Sequence, residues 1–197
     1  MNLKEIDYEL APVHLVRNGG EQNHASFREI NPLGLVPALV HNGQVLVQSL
    51  AICEYLEEVF PARPLLPADK QGRARVRGLV QSIACEIQPI NNLSVMQYLT
   101  KEMGQTSEAV REWYVRWIDR GFAAIETWLE SSDTGRFCHG DTPGLADCFL
   151  VPQVYNAERF ECELGPYTNI MRITTLCREL PGFLAAAPEN QPDAEIN

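Results

Sequence analysis

Asn31–Glu58 reads NPLGLVPALVHNGQVLVQSLAICEYLEE, and its punctuation dictates a local fold. Val36-Pro37 forces an extended residue before proline, and an X-Pro bond in a tight turn is where a cis peptide is expected if anywhere. Ala38–Val40 and Val45–Val47 are short β-rich runs joined by His41-Asn42-Gly43-Gln44, and Asn-Gly between such runs is a strong hairpin signal. From Ser49 to Phe60 the apolar residues Ile52, Tyr55, Leu56 and Val59 keep a helical period. Ser49 is a natural N-cap for that helix. The order of bend, hairpin and helix sets exposed backbone at Val36 beside a helix N-terminus. Free N–H groups and the helix dipole there favour an anion, as a carboxylate-bearing peptide would require. Taken singly, an ordinary trans turn explains Val36-Pro37 and simple capping explains Ser49. The ordered combination is what points to a ligand.

On either side the chain is punctuated differently. Met1–Lys4 looks like the tail of a helix, Tyr8–Val16 like an extended strand, and Asn18-Gly19-Gly20 like a turn, with Glu21–Glu29 a short helix or loop. Pro61–Asp69, PARPLLPAD, reads as a linker. It divides a first domain, residues 1–60, from a helical one, residues 70–197. The period beyond it predicts helices over Lys70–Met103, Ser107–Leu129, Gly144–Ala157 and Ile170–Leu180, with Pro89 and Pro152 kinking or interrupting two of them. Strands early and helices after give the fold class α+β then all-α.

Composition narrows the function classes. A formal net charge of -10 over 197 residues argues against nucleic acid, whose binding rests on phosphate neutralisation. The cluster Arg73, Arg75, Arg77 reads as a solvated face or interface rim. No apolar run approaches the ~20 residues of a membrane span, and MNLKEIDYEL has no signal-peptide core. A cytoplasmic protein without a membrane partner is expected. The cysteines Cys53, Cys85, Cys138, Cys148, Cys162 and Cys177 form no C-x-x-C and share no metal-ligand spacing with the histidines. Buried free thiols in a reducing compartment are expected, and no metal site.

Two longer motifs carry a resemblance. Ile87-Gln88-Pro89-Ile90-Asn91-Asn92-Leu93-Ser94-Val95 and Leu150-Val151-Pro152-Gln153-Val154-Tyr155-Asn156-Ala157-Glu158-Arg159-Phe160, with the hairpin-and-helix segment before them, resemble the zeta class of the glutathione transferases, the maleylacetoacetate isomerases. Asn190-Gln191-Pro192-Asp193 fits the same pattern, and the likeness covers nearly the whole chain. It implies a thioredoxin-like first domain and a helical second one, usually paired as a homodimer. The implied cofactor is glutathione, held by Gln22, the Val36 backbone at Val36-Pro37, Gln48 and Ser49, with Gln88, Asn92, Leu93 and Ser94 closing the site from the helical domain. The implied substrate is a small dicarboxylate, maleylacetoacetate, isomerised to fumarylacetoacetate by reversible thiolate addition, with Arg159 meeting a carboxylate. A salt bridge from Arg159 to Glu158 or Glu161 is the plain alternative. Asp147 is implied as structural, capping its own helix with Gly144 in the N-cap place.

The chain departs from the family at its start. The class opens with a strand and a serine-rich segment, and Met1-Asn2-Leu3-Lys4 aligns with the end of the helix that follows them. The resemblance therefore implies no catalytic serine among the 197 residues, impaired turnover, a loosened first domain and an intact helical one. A misplaced start, a deliberate truncation and a degenerate gene copy are the three origins considered. Two other functions stay open: a maleylpyruvate isomerase or dehalogenase on the same fold, and a non-catalytic binding protein.

Overall fold

The computed structural model describes residues 1–194. Its contacts group the chain into two compact units, one of Met1–Pro64 joined by the chain from Pro181 onward, the other of Leu65–Leu180. The division falls inside the proline-rich stretch. Sequence reading gave the C-terminal end to the helical part, but Asn2 Nδ2 donates to the Gly182 carbonyl at 3.1 Å, and Leu3 occupies the space a side chain at 182 would need.

The first unit is built on a hairpin and a helix. Strand β1 (Ala38–His41) pairs antiparallel with β2 (Gln44–Val47), Ala38 opposite Val47 and His41 opposite Gln44. Asn42 at φ 50° and Gly43 at φ 74° make the left-handed two-residue turn that matches strand twist. The short helix α1 (Ala25–Arg28) precedes the hairpin, and α2 (Ser49–Val59) follows it. His41 Nδ1 and the Tyr55 hydroxyl lie 2.7 Å apart, tying β1 to α2. Phe27, Ile52 and Leu56 are the buried apolar side chains of this unit. Among the described residues the sheet is this hairpin alone.

Tyr8–Val16 was expected as a strand and is not one. Among the described residues no strand lies along it, and a strand without a partner gains nothing for its backbone groups. Local bonds take the ladder's place. Glu21 N donates to the His14 carbonyl, and His14 N donates to the Glu21 carboxylate at 2.7 Å. Tyr8, Leu10, Leu15 and Val16 stay exposed, and twelve of the fifteen large apolar side chains exposed among the described residues lie in this unit.

The second unit is helical. Helix α3 (Lys70–Gln81) is opened by Asp69, whose Oδ1 accepts from Gly72 N at 2.7 Å. It widens into a π turn over Ser82–Ile87, and α4 (Leu93–Lys101) starts after Asn92. The single helix expected over Lys70–Met103 is thus broken near Pro89, where an α-helical proline would strike the carbonyl four residues back. Helix α5 (Ser107–Leu129) is capped by Thr106, α6 (Leu145–Arg159) runs through Pro152, and α7 (Thr168–Arg178) closes the unit. Val80, Ile83, Ile87, Ile118, Phe122, Leu150, Val154, Ile170 and Ile173 are buried together as its core. At the head of α6, Asp147 is buried and accepts from Gly144 N at 2.7 Å and Cys138 N at 2.9 Å. Glycine has no side chain to return the favour, so at the start of α6 the side-chain cap is this carboxylate.

Two charge and thiol expectations need correction. Arg75 is no solvated face: it donates to the carbonyls of Cys138 and Trp128 and to the Thr134 hydroxyl, clamping the loop between α5 and α6. Of the six free thiols, Cys138, Cys162 and Cys177 are buried, Cys53 and Cys148 are half-buried, and Cys85 is exposed.

Burial raises the pKa of several neutral groups in this unit. It pushes the Cys162 thiol up to about 11 and the Tyr114 and Tyr167 phenols up to about 12, and it drives the Cys138 and Cys177 thiols upward as well. The unfolded chain releases these protons earlier, from about pH 8.5 for thiols and about pH 10 for phenols. Their contribution is therefore intact below those values and is lost as pH rises toward the folded ones. The thermal midpoint should hold between pH 7 and about 8.5 and fall with increasing steepness beyond. Circular dichroism melts across that range check it, and a flat profile to about pH 10.5 would contradict it.

Candidate functional site

In the first unit the hairpin delivers two features to the strand ends. Val36 precedes β1, is 42 % exposed, and its bond to Pro37 is cis. Gln48 is the single residue between β2 and α2, so the chain must reverse within it. Its φ of 72° and ψ of 117° are a conformation that residues with a Cβ rarely hold. Sequence reading made Ser49 the N-cap. The structure gives that place to Gln48 and makes Ser49 the first helical residue. The Gln48 side chain makes no capping bond, and the first helical bond is from Ile52 N to the Gln48 carbonyl. The N–H groups of Ser49, Leu50 and Ala51 thus lack intrahelical partners at the positive end of an eleven-residue helix. Such a helix start offers free donors and positive potential suited to an anion, with a hydroxyl and an exposed amide beside it.

Gln22 is placed less simply. It lies in a 3-10 turn over Glu21–Asn23, its Nε2 donates to the Leu15 carbonyl at 3.2 Å, and its Oε1 is buried without a hydrogen-bond partner among the described residues. The side chain is turned into its own loop.

In the second unit, Gln88 is exposed at the end of the π turn. Asn92 caps α4, its Oδ1 accepting from Ser94 N and from the Ser94 hydroxyl, each at 3.0 Å. Leu93 follows it as the first residue of α4. The Ser82 hydroxyl likewise donates to the Gly78 carbonyl. Neither serine hydroxyl is idle. Arg159 ends α6 and is exposed. Glu158 is engaged by Arg178 at 2.8 and 2.7 Å, and among the described residues Arg159 pairs with no carboxylate, so the salt-bridge alternative is not what the structure has. The next residue is fixed firmly. Phe160 stacks on Tyr114 with centroids 3.6 Å apart, and Arg111 Nη1 reaches its carbonyl at 3.4 Å. Sequence reasoning did not single out Tyr114 or Arg111, because their partners lie some fifty residues away.

A cavity of about 260 Å³ on α5 is lined by Arg111, Glu112, Val115, Arg116 and Asp119. Its charges are balanced, two of each sign. No group of three or more metal-ligating side chains is assembled among the described residues, and no described helix is long and apolar enough to cross a membrane.

This hairpin, helix and helical bundle are the fold of a glutathione transferase, with a small thioredoxin-like part and a helical part. Residues 1–59 match the family model for the glutathione S-transferase N-terminal domain. A probable maleylacetoacetate isomerase of Vibrio cholerae is 47% identical over 194 residues, covering 98% of this chain and 90% of the relative. A solved holo maleylpyruvate isomerase, described as a bacterial zeta-class glutathione transferase, superposes with a TM-score of 0.95 at 47% identity over 98% of this chain and 91% of that one. A maleylacetoacetate isomerase from Methylobacterium extorquens AM1, solved with malonate and glutathione bound, gives 0.94 at 36% identity over 99% and 91%. The chain belongs to the zeta-class glutathione transferase family, whose members among these relatives are maleylacetoacetate and maleylpyruvate isomerases.

Proposed function

We propose that this protein binds glutathione and isomerises a cis-configured dicarboxylate, maleylacetoacetate, to its trans isomer. The observation that carries this reading is the uncapped N-terminus of α2 behind Gln48, a seat for the γ-glutamyl carboxylate. Glutathione supplies the thiol whose reversible addition turns a double bond into a rotatable single bond. The rest is binding and orientation by the chain. Ser49 and the first N–H groups of α2 hold the carboxylate, and the Gln48 amide holds the neighbouring ammonium or carboxylate. The backbone of Val36, an exposed residue preceding Pro37, pairs with the cysteinyl unit as an added strand does. Gln22, Gln88, Asn92, Leu93 and Ser94 complete the contacts by family likeness. Arg159, exposed and without a carboxylate partner among the described residues, offers a bidentate fork to one end of the diacid. The protein works in the cytoplasm as a homodimer.

The test is glutathione-dependent isomerisation of maleylacetone, followed by absorbance, with maleylpyruvate as the second substrate and calorimetry with glutathione alone. Turnover of maleylacetone, at an impaired rate, is expected. Ser49→Ala should raise the glutathione KM about tenfold, the order of one lost hydrogen bond to a charged group, with little change in kcat. Binding without turnover favours a non-catalytic binding protein. Preference for maleylpyruvate moves the substrate assignment, and absence of binding removes the reading altogether.

A further inference from the structure

The π turn before Gln88 has a seat, and the seat is on another helix. Gln88 N donates to the Ile83 carbonyl at 2.9 Å, five residues back. The widened turn relieves the clash that Pro89 would make with the Cys85 carbonyl, and such turns recur at functional sites. An extra residue in a turn rotates everything after it by about 100° around the axis, so the turn decides where Gln88 points. Ile87, fully buried, closes it. Its side chain lies against Gly121 in the interior of α5, where a Cβ would overlap both Cδ1 and Cγ1 of Ile87. Glycine is the second-poorest helix former, and this close approach accounts for it there. Two further bonds fasten the segment to α5. Trp113 Nε1 donates to the Ile90 carbonyl at 3.2 Å, and Asn91 Nδ2 donates to the Tyr114 carbonyl at 3.1 Å.

We propose that Gly121 is a positioning residue for glutathione: it is the notch that seats Ile87 and so fixes the π turn presenting Gln88. This rests on the assignment of Gln88 to glutathione made above. Ala at 121 expels Ile87 and loosens the turn without touching the ligand.

The experiment combines hydrogen exchange at the Gln88 amide with calorimetric glutathione affinity, for the whole chain. In Gly121→Ala the Gln88 amide should exchange at least tenfold faster while α7 is unchanged, and affinity should fall about fivefold. Gln88→Ala, costly alone, should cost little more in that background. Adding Ile87→Ala makes room for the new methyl and should recover part of both losses. If Gly121→Ala does not fold, Ile87→Ala alone empties the notch and must produce the same two changes. Unchanged exchange at Gln88 overturns the proposal whatever the affinity does. Faster exchange with unchanged affinity overturns it too, and then the fault lies in giving Gln88 to glutathione and not in the notch.

Discussion

Asp147→Ala is expected to lower the thermal midpoint by about 10 °C or more, or to leave the protein insoluble. The side chain is 1 % exposed and serves two buried backbone donors, Gly144 N and Cys138 N. Without it both lose their partner, at roughly 1–3 kcal/mol each, and the Gly144 bond so lost is the one that caps the start of α6. The sum, roughly 2–6 kcal/mol, is a large share of a typical domain's stability of about 5–15 kcal/mol. It also falls at the middle of the helical unit, since α6 carries the buried Leu150, Val154 and Ala157. In a chain this size each kcal/mol moves the midpoint by about 2–4 °C. Asp147→Asn keeps one acceptor oxygen but turns an N–H toward the other donor, so it should fall between the two. Burial also raises the pKa of the native carboxyl, against the bonds it accepts from Cys138 and Gly144, so the asparagine escapes part of the desolvation cost. Melts of the three proteins at pH 7 decide it. An alanine variant within about 1 kcal/mol of the parent would show that the two N–H groups find other partners.

What the sequence made legible was local. The Asn42-Gly43 turn needs positive φ at both residues, and few other sequences provide it, so the hairpin was readable from two letters. Ser107–Leu129 was readable because 23 residues of one period leave little room for another answer. What escaped depended on partners far along the chain. Tyr8–Val16 has strand-like letters, but strand pairing is decided by a neighbour, and among the described residues none lies along it. Arg75 looked solvated because the groups it clamps lie more than fifty residues away. Pro89 signalled a break, yet nothing local says whether a helix stops there or widens. The residues proposed for glutathione show the same division. Their assignment follows from the family resemblance, whereas the local duty of Asn92 in capping α4, the inward turn of Gln22 and the strained backbone of Gln48 are properties of geometry alone.

Lys4 tests the first unit as Asp147 tests the second. Its ammonium lies 2.6 Å from Glu57 Oε1, with side chains 2% and 6% exposed, and it also donates to the Arg63 carbonyl at 3.2 Å. The pair ties the 3-10 turn at Asn2–Lys4 to α2, the helix whose other end is the proposed glutathione seat. Removing one member leaves a charge with little water to solvate it, and such changes cost about 3–5 kcal/mol. Lys4→Met and Glu57→Leu are therefore each expected to destabilise the unit by that order. Combined, they remove both charges and leave two apolar side chains in a dry site, an exchange that is often neutral or stabilising. The double variant should thus be more stable than either single one, with a coupling of several kcal/mol. The neighbouring pair of Arg63 and Glu5, more than half exposed on both sides, supplies the contrast. Breaking it by Glu5→Gln should change stability by no more than about 1 kcal/mol, and that effect should vanish in high salt. Denaturant melts of the four proteins in the Lys4 cycle settle the matter. If the two single losses simply add in the double variant, the ion pair is not what holds the N-terminal turn to α2, and the packing of Leu3 against Gly182 becomes the contact to mutate.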